Sequence, residues 1–270
     1  MKTIRSQAAF TLLELLTVIA IIGILAAITL PNLQSFKPNV MAAATSQLLA
    51  DVGRARQLAI SHRTTVYMVF VPGNYWADPA TSAWRPADWV RATNLFDKQL
   101  VGYNFVSLRS LGDQPGRPTT RYLSEWKTIP DGAFIPLQKF GIRNPAIPNL
   151  VIATNDLAGN RYLAYQVDGF SATNNIPFPL DTTPGLGVPP RWVPLPYIAF
   201  NYMGQLISGR NELVPLALGS VGFSRDATRT AAAKLPSLNE SPPGNSTNAY
   251  NLVSIDWLTG RARIERQEAR

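Results

Sequence analysis

Apolar residues follow three different rhythms along this chain. From Phe10 to Leu30 they run almost without a break: thirteen are Leu, Ile, Val or Phe, and the one ionisable side chain is Glu14. From Asn39 to about Arg63 they recur every three or four residues, at Val40, Ala44, Leu48, Val52, Ala55 and Ala59. That spacing puts one apolar stripe on a helix, with Gln47, Asp51, Arg54 and Gln57 expected largely off it. Beyond Arg63 the apolar runs shorten and turn residues separate them. Strands are expected at 64–71, at 100–108, as a pair within 149–167 around Gly159 and Asn160, and at 213–224. A tight hairpin is expected around Met203-Gly204, and a last one turning at Thr259-Gly260. A long helix followed by consecutive antiparallel strands predicts an α+β fold: a long N-terminal helix packed on an antiparallel sheet domain with long loops.

Those loops, 72–99, 109–128, 169–196 and 226–249, are long for a compact domain. The third is rich in proline and reads as an extended surface excursion. The fourth, "DATRTAAAKLPSLNESPPGNSTNA", has the composition of a disordered segment. Composition adds two constraints. With no cysteine, the chain has no disulfide framework, thiolate metal site or cysteine nucleophile. A net charge of +8 favours anionic partners, although an ordinary basic surface accounts for it equally.

The opening run has membrane dimensions. As a helix, residues 10–30 reach about 31 Å, the thickness of a bilayer core. Their thirteen large apolar side chains favour insertion by roughly 4–8 kcal/mol, against about 3 for one central charge. Glu14 lies near the end, where the cost is lower, so the helix is expected to insert. Lys2 and Arg5 precede it and keep the N-terminus cytoplasmic. A cleaved secretory signal is the competing reading, but the run is longer than its apolar region and "ITLPNLQSF" offers no A-x-A site. A plain anchor leaves Glu14 without a purpose, and an intramembrane carboxylate calls for a partner.

"AFTLLELLTVIAIIGILAAITLPNL" resembles the N-terminal signature of type IV pilins and type II secretion pseudopilins. The resemblance implies a leader, residues 1–9, cut between Ala9 and Phe10 by a prepilin peptidase that also methylates the new N-terminus. Residues 10–30 then form a transmembrane and later filament-core helix, 31–63 its amphipathic continuation, and 64–270 an extracytoplasmic β-rich domain. Phe10, Glu14 and Pro31 fall at the family's positions one, five and twenty-two of the mature chain. Ala9 stands where the family usually carries Gly, so slower cutting is expected. Glu14 and Pro31 are the assembly residues. In staggered subunits the Glu14 carboxylate meets the neighbour's Phe10 amine, and leaving either unpaired inside an apolar bundle costs several kcal/mol.

The implied function is a structural, non-enzymatic filament subunit without cofactor or metal. Its implied partners are other pilin or pseudopilin subunits, the prepilin peptidase, an inner-membrane assembly platform, and membrane lipid before assembly. Its implied place is the bacterial inner membrane and then a periplasmic or cell-surface filament. Within the family, "RARQLAI", "FNYMG" and "VSIDWLTGRARI" resemble the H-type minor pseudopilins and related minor fimbrial subunits. Tip subunits of the K-type usually lack the early glutamate, so Glu14 argues against that role.

Candidate chemistry elsewhere is sparse. His62 is the single histidine and stands where the long helix gives way to a strand, which leaves catalytic triads and His-metal sites without material. Asn155 and Asp156 lack the further carboxylates of a calcium loop. Six tryptophans, at 76, 84, 89, 126, 192 and 257, are core anchors or stacking platforms. Gly260, Arg261 and Arg263 are similar to a Gly-Arg-x-Arg motif whose arginines contact DNA in some minor pilins. Residues 251–270 nevertheless carry four Arg against three acids, and a solvated edge hairpin explains them as well. Two alternatives to the filament therefore stay open: a DNA-binding minor pilin for uptake or adhesion, and a membrane-anchored binding protein that never polymerises.

Overall fold

A computed structural model describes residues 12, 15–22, 39–73, 92, 95–110, 112–114, 116–140, 151–155, 161–165, 169–171, 174–177, 192–223, 236–248 and 250–265. The chain divides into two compact units, Met1–Asn39 and Val40–Arg270. In the first, Leu12 and Leu15–Ile22 are helical. The second is the α+β body expected from the sequence.

Helix α1, Val40–Ser61, buries Ala44, Leu48, Val52, Ala55 and Ala59 as the spacing requires. It stops in a left-handed turn. Arg63 takes φ 47°, while its N–H reaches the Ile60 carbonyl and that of Thr64 reaches Ala59. This closes the last carbonyls of the helix and turns the chain into the first strand.

Asp51 departs from the expectation. It lies on the buried face, 6% exposed, because positions 44, 48, 51 and 55 make one i, i+4, i+7, i+11 row. Its carboxylate survives there because it is paired. Tyr103 donates its hydroxyl proton to it at 2.5 Å, and the Lys127 ammonium binds the other oxygen. Gln47 completes the group by donating to the Tyr103 oxygen and to the Thr128 carbonyl.

Two antiparallel sheets carry the body. The first has the order β10 (Tyr197–Phe200), β1 (Val66–Phe70), β2 (Gly102–Ser107), β3 (Arg121–Tyr122), with β4 (Lys127–Thr128) also on β2. The second has the order β12 (Ser237–Glu240), β11 (Glu212–Gly222), β13 (Asn251–Ile255), β14 (Ala262–Glu265), with β5 (Ala133–Phe134) also on β11. Separate hairpins pair β6 (Val151–Asn155) with β7 (Arg161–Tyr165), and β8 (Asn175–Pro177) with β9 (Trp192–Pro194). The tight hairpin expected around Met203-Gly204 is present in short form: an antiparallel bridge joins Phe200 to Leu206, the Asn201 N–H bonds the Gln205 carbonyl and the Ile207 N–H bonds the Ala199 carbonyl, while β10 pairs along its length with β1.

The first sheet is buried on both faces. Val66, Met68, Phe70, Tyr103, Phe105, Ile198 and Phe200 pack with α1 and the second sheet. The alternate residues Tyr67, Val69, Val106, Tyr197 and Ala199 form another core with Ala92, Leu95, Phe96, Ile176, Val193 and Leu195. Two of the segments read as long loops, the first and the third, thus supply the second cover, and the third is a wall here where a surface excursion was expected. The fourth loop is corrected in the same way: residues 236–248 hold β12 and the short helix α2, Asn245–Asn248. Glu240 accepts from the Ser246 N–H and hydroxyl, and Asn245 accepts the Leu218 N–H. Both cores lie wholly between Met41 and Ile255, so the unit Val40–Arg270 contains everything they are built from.

Candidate functional site

The segments "RARQLAI", "FNYMG" and "VSIDWLTGRARI" converge at the C-terminal end of α1. Arg56 donates its Nε–H to the Thr259 carbonyl at 2.8 Å. Thr259 belongs to the turn joining β13 to β14, which Asp256 organises. The Asp256 carboxylate accepts from the Thr259 N–H and hydroxyl, both at 2.7 Å, and its carbonyl accepts the Gly260 N–H at 2.8 Å. The two Thr259 bonds, the hydroxyl's first, hold the Asp256 carboxyl below the ordinary range, and the Leu258 N–H and the nearby Arg263 charge add to them.

The second turn, Asn201–Leu206, is built the same way. Asn201 accepts the Met203 and Gln205 N–H groups on its side chain and the Gly204 N–H on its carbonyl. The Leu206 N–H then bonds the Trp257 carbonyl at 2.9 Å and ties one turn to the other. The contact needs two glycines. Gly260 has φ 63°, and a Cβ there would lie 2.0 Å from the Gly204 carbonyl oxygen. Gly204 has φ 80°, and a Cβ there would press on Ile60 and Arg56 at 2.9 and 3.0 Å.

This junction supplies a packing reason for Gly260 in the Gly-Arg-x-Arg run. Arg261 is exposed, with its N–H on the Thr259 hydroxyl. Arg263 is 76% exposed and pairs with Glu265 at 3.1 Å, so its charge is partly spent on its own strand. Tyr202, Met203, Ile207, Trp257 and Leu258 are 40–59% exposed on or beside the two turns. No single stretch of sequence displays this apolar surface, because its residues come in short runs of two from separate turns, such as Tyr202-Met203 and Trp257-Leu258, and only the pairing of the turns brings them near one another.

The remaining expectations are placed as follows. Ala9, Phe10, Glu14 and Pro31 lie outside the described residues. So do Trp76, Trp84, Trp89 and Asp156. In the N-terminal unit Leu12, Leu15, Leu16, Val18, Ile19, Ile21 and Ile22 are helical and 46–82% exposed. Among the described residues no helix is long and apolar enough to cross a membrane, and most of the expected span lies outside them. His62 is exposed just past α1. Trp126 tilts against Tyr122, with ring centroids 6.0 Å apart, and Trp192 is 48% exposed on β9. No group of three or more metal-ligating side chains gathers among the described residues.

A different polar pair is fully enclosed. The Lys139 ammonium binds the Glu212 carboxylate with both side chains buried, and it lies 4.6 Å over the Phe170 ring. Neither residue stands out in the sequence, since each is an isolated charge in a mixed context.

Residues 4–30 match the family model described as the prokaryotic N-terminal methylation motif. No curated protein sequence matches the chain. Among solved structures, the crystal structure of the type IV minor pilin FimU from Pseudomonas aeruginosa is similar. It is 10% identical, with 85% of this chain and 90% of that one covered and a TM-score of 0.33. At that score the likeness carries no argument about this chain.

Proposed function

We propose that this chain is a structural subunit of a type IV pilus-like or type II secretion-like filament, minor and of the H-type. The methylation motif over residues 4–30 carries the reading. The exposed apolar side chains from Leu12 to Ile22 add to it: left in water they are costly, and a bilayer or a bundle of neighbouring helices covers them.

The sequence of events follows from the residues. The helix of residues 10–30 enters the inner membrane with the N-terminus cytoplasmic. The prepilin peptidase cuts between Ala9 and Phe10 and methylates the Phe10 amine. On the assembly platform Glu14 pairs with the Phe10 amine of a neighbour, which selects register because an unpaired charge in that bundle is expensive. Pro31 removes one helical hydrogen bond and bends the rod between membrane and body.

Mass spectrometry of the mature chain tests this directly. N-methylated Phe10 at the new N-terminus is the expected result, and an intact Met1 or a cut after residue 25 would overturn it. A Glu14→Ala chain that co-assembles as well as the parent would remove the proposed role of that carboxylate.

A further inference from the structure

The geometry points to the paired turns at the end of α1 as a docking surface for an anionic lipid membrane. This does not rest on the filament reading, since it concerns only the unit Val40–Arg270.

Three observations select the ligand. The first is the kind of side chain presented. Tyr202, Met203, Ile207, Trp257 and Leu258 are 40–59% exposed on two turns that are hydrogen-bonded to each other. Aliphatic tips next to a Trp and a Tyr are the mixture found at the boundary between headgroups and acyl chains. The aliphatic ones offer no stacking face, which disfavours a nucleic acid.

The second is the backbone. In the Asn201 turn, the N–H groups of Met203, Gly204 and Gln205 are all taken up by Asn201. In the other, those of Thr259 and Gly260 are taken up by Asp256. A turn whose donors are satisfied internally enters a low-dielectric boundary without stripping water from them. Arg56, bonded to Thr259 and packed beside Gly204, fixes the base of both turns, so the turns are held in one frame and little ordering entropy is lost on docking.

The third is charge. Arg56 donates to Thr259, and Arg261 and Arg263 follow directly on the second turn, three arginines against Asp256 and Glu265. Glu265 is paired with Arg263, and Asp256 is occupied by its own turn. The surplus is positive and complements a surface of anionic headgroups.

The test is co-sedimentation of residues 40–270, which hold both cores complete, with phosphatidylcholine vesicles with or without phosphatidylglycerol. Binding to the phosphatidylglycerol vesicles, weakened by added salt, is expected. The double change Trp257→Ser and Leu258→Ser should reduce the partition coefficient on the order of tenfold or more. Met203→Ser should lower it less, and Arg261→Gln should flatten the salt dependence. Thermal melts matching the parent establish that each variant is folded. Equal sedimentation of the parent and the double variant would overturn the assignment. So would self-association without vesicles that the double change abolishes, because the surface would then belong to a second copy. Binding to a single-stranded oligonucleotide in preference to vesicles would overturn it as well.

Discussion

The two faces of the first sheet are equally dry but covered in different ways. On one, Phe70, Phe105 and Phe200 meet a regular helix whose stripe can be read from its spacing. On the other, Val69, Val106 and Tyr197 meet Leu95, Phe96, Ile176, Val193 and Leu195, which come from segments with little regular structure. A sheet face needs apolar area over it, not a particular secondary structure, and a long loop with an apolar residue every few positions supplies that. Long loops in a compact domain can therefore be wall rather than ornament.

The strongest challenge to this contrast is a charge. Phe170, from the third long loop, stacks on Phe70 with centroids 4.3 Å apart and lies under the Lys139 ammonium. Glu212→Ala leaves that ammonium buried without its carboxylate partner and should cost about 3–5 kcal/mol in denaturant titration. A loss near zero would mean the loop anchor is not closed to water. Phe105→Ala, on the helix side, should cost about 3–5 kcal/mol through cavity formation.

Its counterpart on the loop side, Leu195→Ala, should cost about 2–4 kcal/mol. A value within about half a kcal/mol of zero, usual for surface positions, would show that the loops do not form a core. Tyr103→Phe should cost about 1 kcal/mol, from the lost hydrogen bond to Asp51.

The same variant tests a pH effect. Burial, and then the Asp51 carboxylate that accepts its proton, push the Tyr103 phenol above its ordinary value of 10.0. Above pH 10 the unfolded chain loses this proton while the folded chain keeps it, so the folded state binds more protons there. Stability from this group is intact below pH 10 and falls as pH rises above it, by at most about 1.4 kcal/mol per pH unit. Phenylalanine at position 103 should remove that part of the slope. The smallest effect belongs to the exposed turns: Leu258→Ser should change stability by less than about 0.5 kcal/mol, which separates a docking surface from a core.

Much of this was legible in the sequence. The 3.6-residue period of α1 is local, and it was read correctly except at Asp51. That carboxylate has to be on the buried row by its spacing, yet nothing local shows that Tyr103 and Lys127 wait opposite. The double burial of the first sheet also left a trace. "VYMVFV" does not alternate apolar with polar, as a strand wet on one side would. What covered it was not written in any short window, because Val193, Leu195 and Ile176 are scattered among prolines and polar residues.

By itself the sequence determined the N-terminal methylation motif, the length of the apolar run and the existence of α1. These depend on residues close together in the chain, where spacing and side-chain type settle the outcome. Only the tertiary structure decided that loops close the first sheet, that Lys139 finds Glu212, and that Gly204 and Gly260 touch beside Arg56. Each of those joins segments far apart in sequence, and such contacts form only after the long-range pairing of strands has paid the entropy of closing the loops between them.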